Sequence, residues 1–96
     1  MKNRDRMDII SRILEAANGE SGNGATRTRI MYNAFLSHSQ LKQYLSNLAD
    51  NELVQYDSLS QTFQTTEKGL KFLRTYSEMD EMIKVPQQQH SLRKNF

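Results

Sequence analysis

The sequence predicts a mainly α-helical chain with one small β-hairpin and an extended C-terminal helix. Three observations predict it. Large apolar residues at Leu36, Leu41, Leu45, Leu48 and Leu53 hold one stripe of a 3.6-residue period through residues 36–53. Two short runs, LVQYD and TFQTT, are rich in β-branched and aromatic residues and flank a polar SLSQ turn. Phe72, Tyr76, Met79 and Ile83 then step by four, three and four, the rhythm of a coiled-coil seam.

The first helix is expected over residues 4–18, where Met7, Ile9, Ile10, Ile13, Leu14 and Ala17 recur on one face and Asn18-Gly19 supplies a stop. GESGNG, residues 19–24, reads as a polar connector. Ala25, Thr26 and Arg27 suit a very short extended segment. Thr28 then suits the cap of a second helix in which Ile30, Met31, Ala34 and Phe35 share a face. Only about three residues separate it from the third helix, too few for an antiparallel return, so the two should cross steeply as in a helix-turn-helix. Ser37 with Gln40 forms the capping-box pattern for a third helix starting near His38.

The hairpin follows, with its tip at residues 57–61, which carry an acid and no base. Thr66 caps the last helix, Glu67 complements its positive end, and Leu70 and Leu73 point back to the core. Three helices and a hairpin are the parts of a winged helix-turn-helix. We therefore expect a winged domain over residues 1–66, a dimerisation helix over 67–85 stopped by Pro86, and a disordered tail over 86–96.

Composition narrows the function. With 96 residues one domain is expected, and with no cysteine there is neither a disulfide framework nor a thiolate metal site. No apolar run approaches a membrane span and the N-terminus lacks a signal-peptide core, so a cytoplasmic protein without membrane attachment is expected. The net charge is only +2, and Arg93 and Lys94 in the tail account for it. Its distribution says more: no acid lies between Glu20 and Asp50, a window that holds Arg27, Arg29 and Lys42.

Opposite the apolar stripe of the third helix lie Ser39, Gln43 and Ser46, flanked by Gln40, Lys42 and Asn47. Such a face suits hydrogen bonds to base edges and phosphates, and spacing alone also fits an ordinary solvated face. Arg27 and Arg29 flank the start of the second helix, where unsatisfied N–H groups favour an anion; a phosphate or a nearby carboxylate would serve. Tyr32 and Tyr44 have hydroxyls that suit the DNA backbone, but at helical spacing they are expected in core packing, as are Met7, Met31 and Met79. The 72–83 seam fits either a partner helix or packing within the chain.

An enzyme is not expected. His38 and His90 are far apart and match no metal spacing, Asp80-Glu81 reads as a solvated face, and the glycine loop lacks the GK[ST] of a phosphate loop. No metal, cofactor or small-molecule ligand is implied.

The run TRTRIMYNAFLSHSQLKQYLSNLADNELV, followed by a hairpin and TTEKGLKFL, resembles the archaeal winged helix-turn-helix family that includes small dimeric DNA-binding proteins of crenarchaea. Its most specific matches are residues 28–32, Leu36-Ser37, Gln40-Leu41, Tyr44-Leu45, Leu48 and residues 66–69. The resemblance implies a homodimer joined by an antiparallel coiled coil, with the third helix presented to double-stranded DNA. It assigns DNA contacts to Ser37, His38, Ser39, Lys42, Gln43, Ser46 and Asn47, phosphate contacts to Arg27, Arg29 and the wing, and dimer contacts to Phe72, Tyr76, Met79 and Ile83. A small transcriptional regulator is the expected role; a sequence-tolerant chromatin protein or a winged-helix protein-interaction module are the alternatives.

Overall fold

In the computed structural model, which describes residues 5–89, the order is α1 (Arg6–Asn18), α2 (Arg27–Ala34), α3 (His38–Asp50), β1 (Val54–Asp57), β2 (Thr62–Thr65) and α4 (Glu67–Gln89). The first helix has local bounds. The Asp5 carboxylate accepts the N–H groups of Met7 and Asp8 at 2.8 and 3.2 Å, capping α1. Gly19 closes α1 with φ 76, a left-handed conformation that glycine adopts without a Cβ clash.

The second helix starts two residues earlier than its sequence indicates. Its cap is Thr26, whose hydroxyl accepts the Arg29 N–H at 3.2 Å, and not Thr28. The reason is non-local: Ala25 and Phe63 exchange both backbone hydrogen bonds, at 3.0 and 2.8 Å, so Ala25 is tied to the wing, Thr26 is still extended at φ -74, ψ 162, and the helix begins directly after it. At the other end Phe35 does not share the apolar face of α2. It sits at φ 57, ψ 49 just past Ala34 and is 75% exposed. Leu36 N–H bonds Met31 O and Phe35 N–H bonds Tyr32 O, a Schellman closure that turns the chain away before Phe35 can face the core.

The hairpin pairs β1 antiparallel to β2, Val54 with Thr65 through Asp57 with Thr62. Its inner residues Val54 and Phe63 complete a core with Ile10, Ile13, Leu14 and Ala17 of α1, Ile30 and Ala34 of α2, and Leu41, Leu45 and Leu48 of α3. The Thr65 hydroxyl donates to Leu14 O at 2.6 Å, which ties β2 to α1. Where α3 ends, Glu52 takes φ 63 and Leu53 N–H returns to Leu48 O at 2.9 Å. Thr66 then does two jobs: its N–H and hydroxyl hold Leu53 O and Glu52 O, while its hydroxyl also accepts the Gly69 N–H at 3.1 Å, capping α4.

The last helix carries on through Pro86 to Gln89, past the stop expected at residue 85. A proline removes one i→i−4 hydrogen bond, a loss that weakens a helix without having to end it. The expected tail therefore divides: residues 86–89 continue α4, and residues 90–96, with His90, Arg93 and Lys94, lie outside the described residues. No helix among the described residues is long and apolar enough to cross a membrane.

Candidate nucleic-acid interface

The face of α3 is set by its core side. Leu41 and Leu48 are fully buried and Leu45 nearly so, which fixes the rotation of the helix and turns His38, Ser39, Lys42, Gln43, Ser46 and Asn47 outward, all exposed. Among the described residues the side chains of Ser39, Lys42, Gln43, Ser46 and Asn47 have no protein partner. Their hydrogen-bonding groups are thus available to a ligand, and the two amides carry both donors and acceptors.

Ser37 differs from the rest of the set. Its hydroxyl accepts the Gln40 N–H at 3.2 Å while the Gln40 Oε1 accepts the Ser37 N–H at 2.9 Å, the full capping box that its spacing indicates. Ser37 is therefore first a structural residue, with only its hydroxyl proton left for another group. Ser37→Ala is expected to cost about 1 kcal/mol of stability, read as a lower midpoint in urea.

Arg27 and Arg29 stand in the first turn of α2, both exposed. The Arg27 guanidinium lies 5.6 Å from the centroid of the Phe63 ring, a cation–π contact with the wing. Arg27 and Thr28 border a groove of about 410 Å³ with Tyr56, Ser60, Gln61 and Phe63. Arg29 opens into a polar cleft of about 480 Å³ that also holds Glu15 and Glu20, and forms no ion pair with either among the described residues. Because the Thr26 cap satisfies the Arg29 N–H, the N–H groups of Arg27 and Thr28 are what α2 offers an anion.

The aromatic residues divide. Tyr44 and Met31 pack on the core as expected, whereas Tyr32 is 73% exposed and Met7 is 44% exposed. Tyr32 shares a shallow groove with Phe35, Arg12 and Glu15; two residues from both Ile30 and Ala34, it lies on the face of α2 opposite the core. On the wing, Tyr56 tilts against Phe63 with centroids 4.8 Å apart. Among the described residues no group of three or more His, Cys, Asp or Glu is placed to hold a metal ion.

The seam residues of α4 also divide. Phe72 and Leu73 pack against their own domain, and Tyr76 stacks on Phe72 with centroids 6.3 Å apart and planes 4° from parallel. Desolvation above all, with the charges of Asp8, Asp5 and Asp80, pushes the Tyr76 phenol up against the opposing effect of Arg12. The phenol is accordingly neutral over the physiological range. Further along, Met79 is 53% and Ile83 68% exposed, and Met82 beside them is barer still.

The winged helix-turn-helix family profile matches residues 3–84. Among solved structures the chain is similar to Sso10a-2, a DNA-binding protein from Sulfolobus solfataricus, at 22% identity and a TM-score of 0.67, over 95% of this chain and 90% of that one. No curated protein sequence matches. At that identity the structural likeness concerns the fold. With the profile running from the start of α1 into α4, the chain belongs to the winged helix-turn-helix family.

Proposed function

We infer that the protein binds double-stranded DNA as a symmetric homodimer, with α3 in the major groove, and serves as a small transcriptional regulator on the nucleoid. The observation that carries this is the exposed face of α3, where Gln43, Asn47, Ser39, Ser46 and Lys42 are unpartnered and acid-free. Gln43 and Asn47 are the amides that pair with adenine edges; the hydroxyls and Lys42 support them. Arg27, Arg29 and the start of α2 supply the backbone contacts that hold the register.

Pairing of two copies supports the reading. The spacing of Phe72, Tyr76, Met79 and Ile83 is the same from either end, so an antiparallel pair sets Phe72 beside Ile83 of the partner subunit and Tyr76 beside Met79 of the partner subunit. Charge favours that direction. The first half of α4 carries Lys68, Lys71 and Arg74 against Glu67 and the second half Glu78, Asp80 and Glu81 against Lys84, so antiparallel helices bring halves of unlike net charge together and parallel ones stack like on like. A single domain with three cations in its reading window would hold DNA weakly at physiological salt, and two domains on one duplex act at a raised effective concentration.

Selection of bound duplexes from a random pool tests this directly. The expected product is an enriched motif with two-fold symmetry. Gln43→Ala is expected to relax selection at one position per half-site, losing roughly 1–3 kcal/mol of discrimination there. Arg29→Ala is expected instead to weaken all duplexes alike and to lower the slope of log affinity against log salt by about one per DNA-binding domain. Loss of all sequence preference with a steep salt slope would move the protein to the chromatin class, and absence of binding at low salt to protein recognition.

A further inference from the structure

The connector between α1 and α2 holds a chemistry that the candidate interface does not use. Among the asparagines only Asn18 and Asn23 precede a glycine. With no side chain on the following residue to crowd the approach, the glycine nitrogen is able to close on the asparagine amide as a five-membered ring. The two pairs are not equally placed to do so. Asn18 ends α1 and is half-buried, its side chain leaning toward the start of the helix and away from the Gly19 nitrogen, which donates to Ala16 O at 3.1 Å. Asn23 is exposed in the bend beyond it, and its amide has no hydrogen-bond partner among the described residues. The Gly24 N–H reaches Asn18 O only at 3.3 Å, past the usual range for such a bond. Gly22, on the other side, stands in open space at φ 76, so the backbone before Asn23 is free to rotate.

Position gives this lability a use. Asn23 borders the same polar cleft as Glu15, Glu20 and Arg29, and it lies in the window after Glu20 that holds no acid before Asp50. Arg29 forms no ion pair with either glutamate among the described residues, so its charge is open to a phosphate. A carboxylate at position 23 would put a third negative group on that cleft and the first one inside the window.

We propose that Asn23 modifies itself, turning with age from an amide into a carboxylate that withdraws Arg29 from DNA. The chemistry stands alone, and its consequence rests on the reading of Arg29 as a phosphate contact. The Gly24 nitrogen gives its proton to water or hydroxide and bonds to Asn23 Cγ, and the side-chain nitrogen leaves as ammonia. Water then opens the succinimide. Cleavage between the Gly24 nitrogen and Cγ gives aspartate; cleavage between that nitrogen and the Asn23 main-chain carbonyl carbon gives isoaspartate, in which the chain runs through Cβ and Cγ. Either way one amide and one water become one carboxylate and one ammonium, with no change of oxidation state. The new charge attracts the Arg29 guanidinium and repels a phosphate approaching it. Isoaspartate also lengthens the main chain beside Gly24, which packs so closely that a Cβ there would lie 2.8 Å from Phe63 O, and so it loosens the Ala25–Phe63 pairing ahead of α2.

The test ages the whole protein for days in warm, mildly alkaline buffer and maps its peptides by mass spectrometry. A mixture of aspartate and isoaspartate is expected at position 23, while Asn18 and the asparagines before larger residues, such as Asn33 and Asn47, keep their amides. Aged protein and fresh Asn23→Asp are both expected to bind a duplex more weakly, by roughly fivefold per domain at physiological salt, with the slope of log affinity against log salt lower by about one per domain. Asn23→Gln, whose longer side chain must close a larger and slower ring, is expected to match the fresh wild type and to stay unchanged on ageing. Position 23 is exposed, so neither variant unfolds the domain. An Asn23 that keeps its amide as long as Asn47 does, or an Asn18 that converts as fast, overturns the modification. If Asn23→Asp binds as tightly as wild type, or if aged Asn23→Gln weakens as wild type does, the link to Arg29 falls. Failure of fresh wild type to bind any duplex at low salt overturns the DNA-binding reading, and the peptide masses still decide the chemistry.

Discussion

Gly69→Ala is expected to destabilise the protein by about 1–3 kcal/mol, against the usual sign for that substitution. In an exposed helix interior alanine is better than glycine by about 1 kcal/mol, because glycine has more backbone freedom to lose. Gly69 is buried in the first turn of α4, where the helix crosses the end of the hairpin. A Cβ there would overlap Leu53 O and lie 2.6 Å from Thr65 Cγ2. Neither neighbour is able to yield. Leu53 O accepts the Thr66 N–H at 3.1 Å, and the Thr65 hydroxyl holds Leu14 O at 2.6 Å, so moving either strains the joint between α3, the wing and α4. Thermal melts by circular dichroism check the sign: for a domain of this size each kcal/mol lowers Tm by roughly 4–8 °C. A raised Tm would show that α4 sits off the hairpin by more than the structure has it.

The same joint shows what a sequence of this kind discloses. The capping box at Ser37 and Gln40 and the caps at Thr66 and Gly19 are contacts between near neighbours, so residue type and spacing suffice to place them. The rotation of α3 is equally legible, since Leu41, Leu45 and Leu48 leave it one way to face. That one fact locates most of the candidate interface. What escaped is decided at a distance. Thr26 and Thr28 are equally good caps in isolation, and the choice falls to Ala25 pairing with Phe63, thirty-eight positions further along.

Phe35 is a harder case. Its period matches the buried face of α2, and only the left-handed turn after Ala34 takes it to the surface. Bulky residues seldom adopt that conformation, so propensity argues against the observed answer. Tyr32, one turn earlier, is exposed for a related reason: the short helix has a narrow buried face, filled by Ile30 and Ala34. Pro86 shows the converse, a strong local signal that the helix overrides.

The division of the α4 seam leads to the second large expectation. Ile83→Asp is expected to convert the dimer we propose into single chains and to lower DNA affinity on the order of 100-fold or more. The substitution is a clean one. Ile83 is 68% exposed and stands far from the core, so the stability of one chain should change by less than about 0.5 kcal/mol. In the antiparallel pairing the same residue meets Phe72 of the partner subunit, and two-fold symmetry repeats the contact. Each dimer therefore acquires two carboxylates within the apolar seam, each losing water against an aromatic ring. The Lys68, Lys71 and Arg74 half of the facing helix offsets part of that cost and does not restore the lost apolar contact. Sedimentation at micromolar concentration reads the first consequence and titration of a labelled duplex the second. If Ile83→Asp remains paired, or if it separates and still binds as tightly as wild type, cooperation between two reading heads is not the source of affinity, and a single α3 must hold the duplex with Arg27, Arg29 and the wing alone.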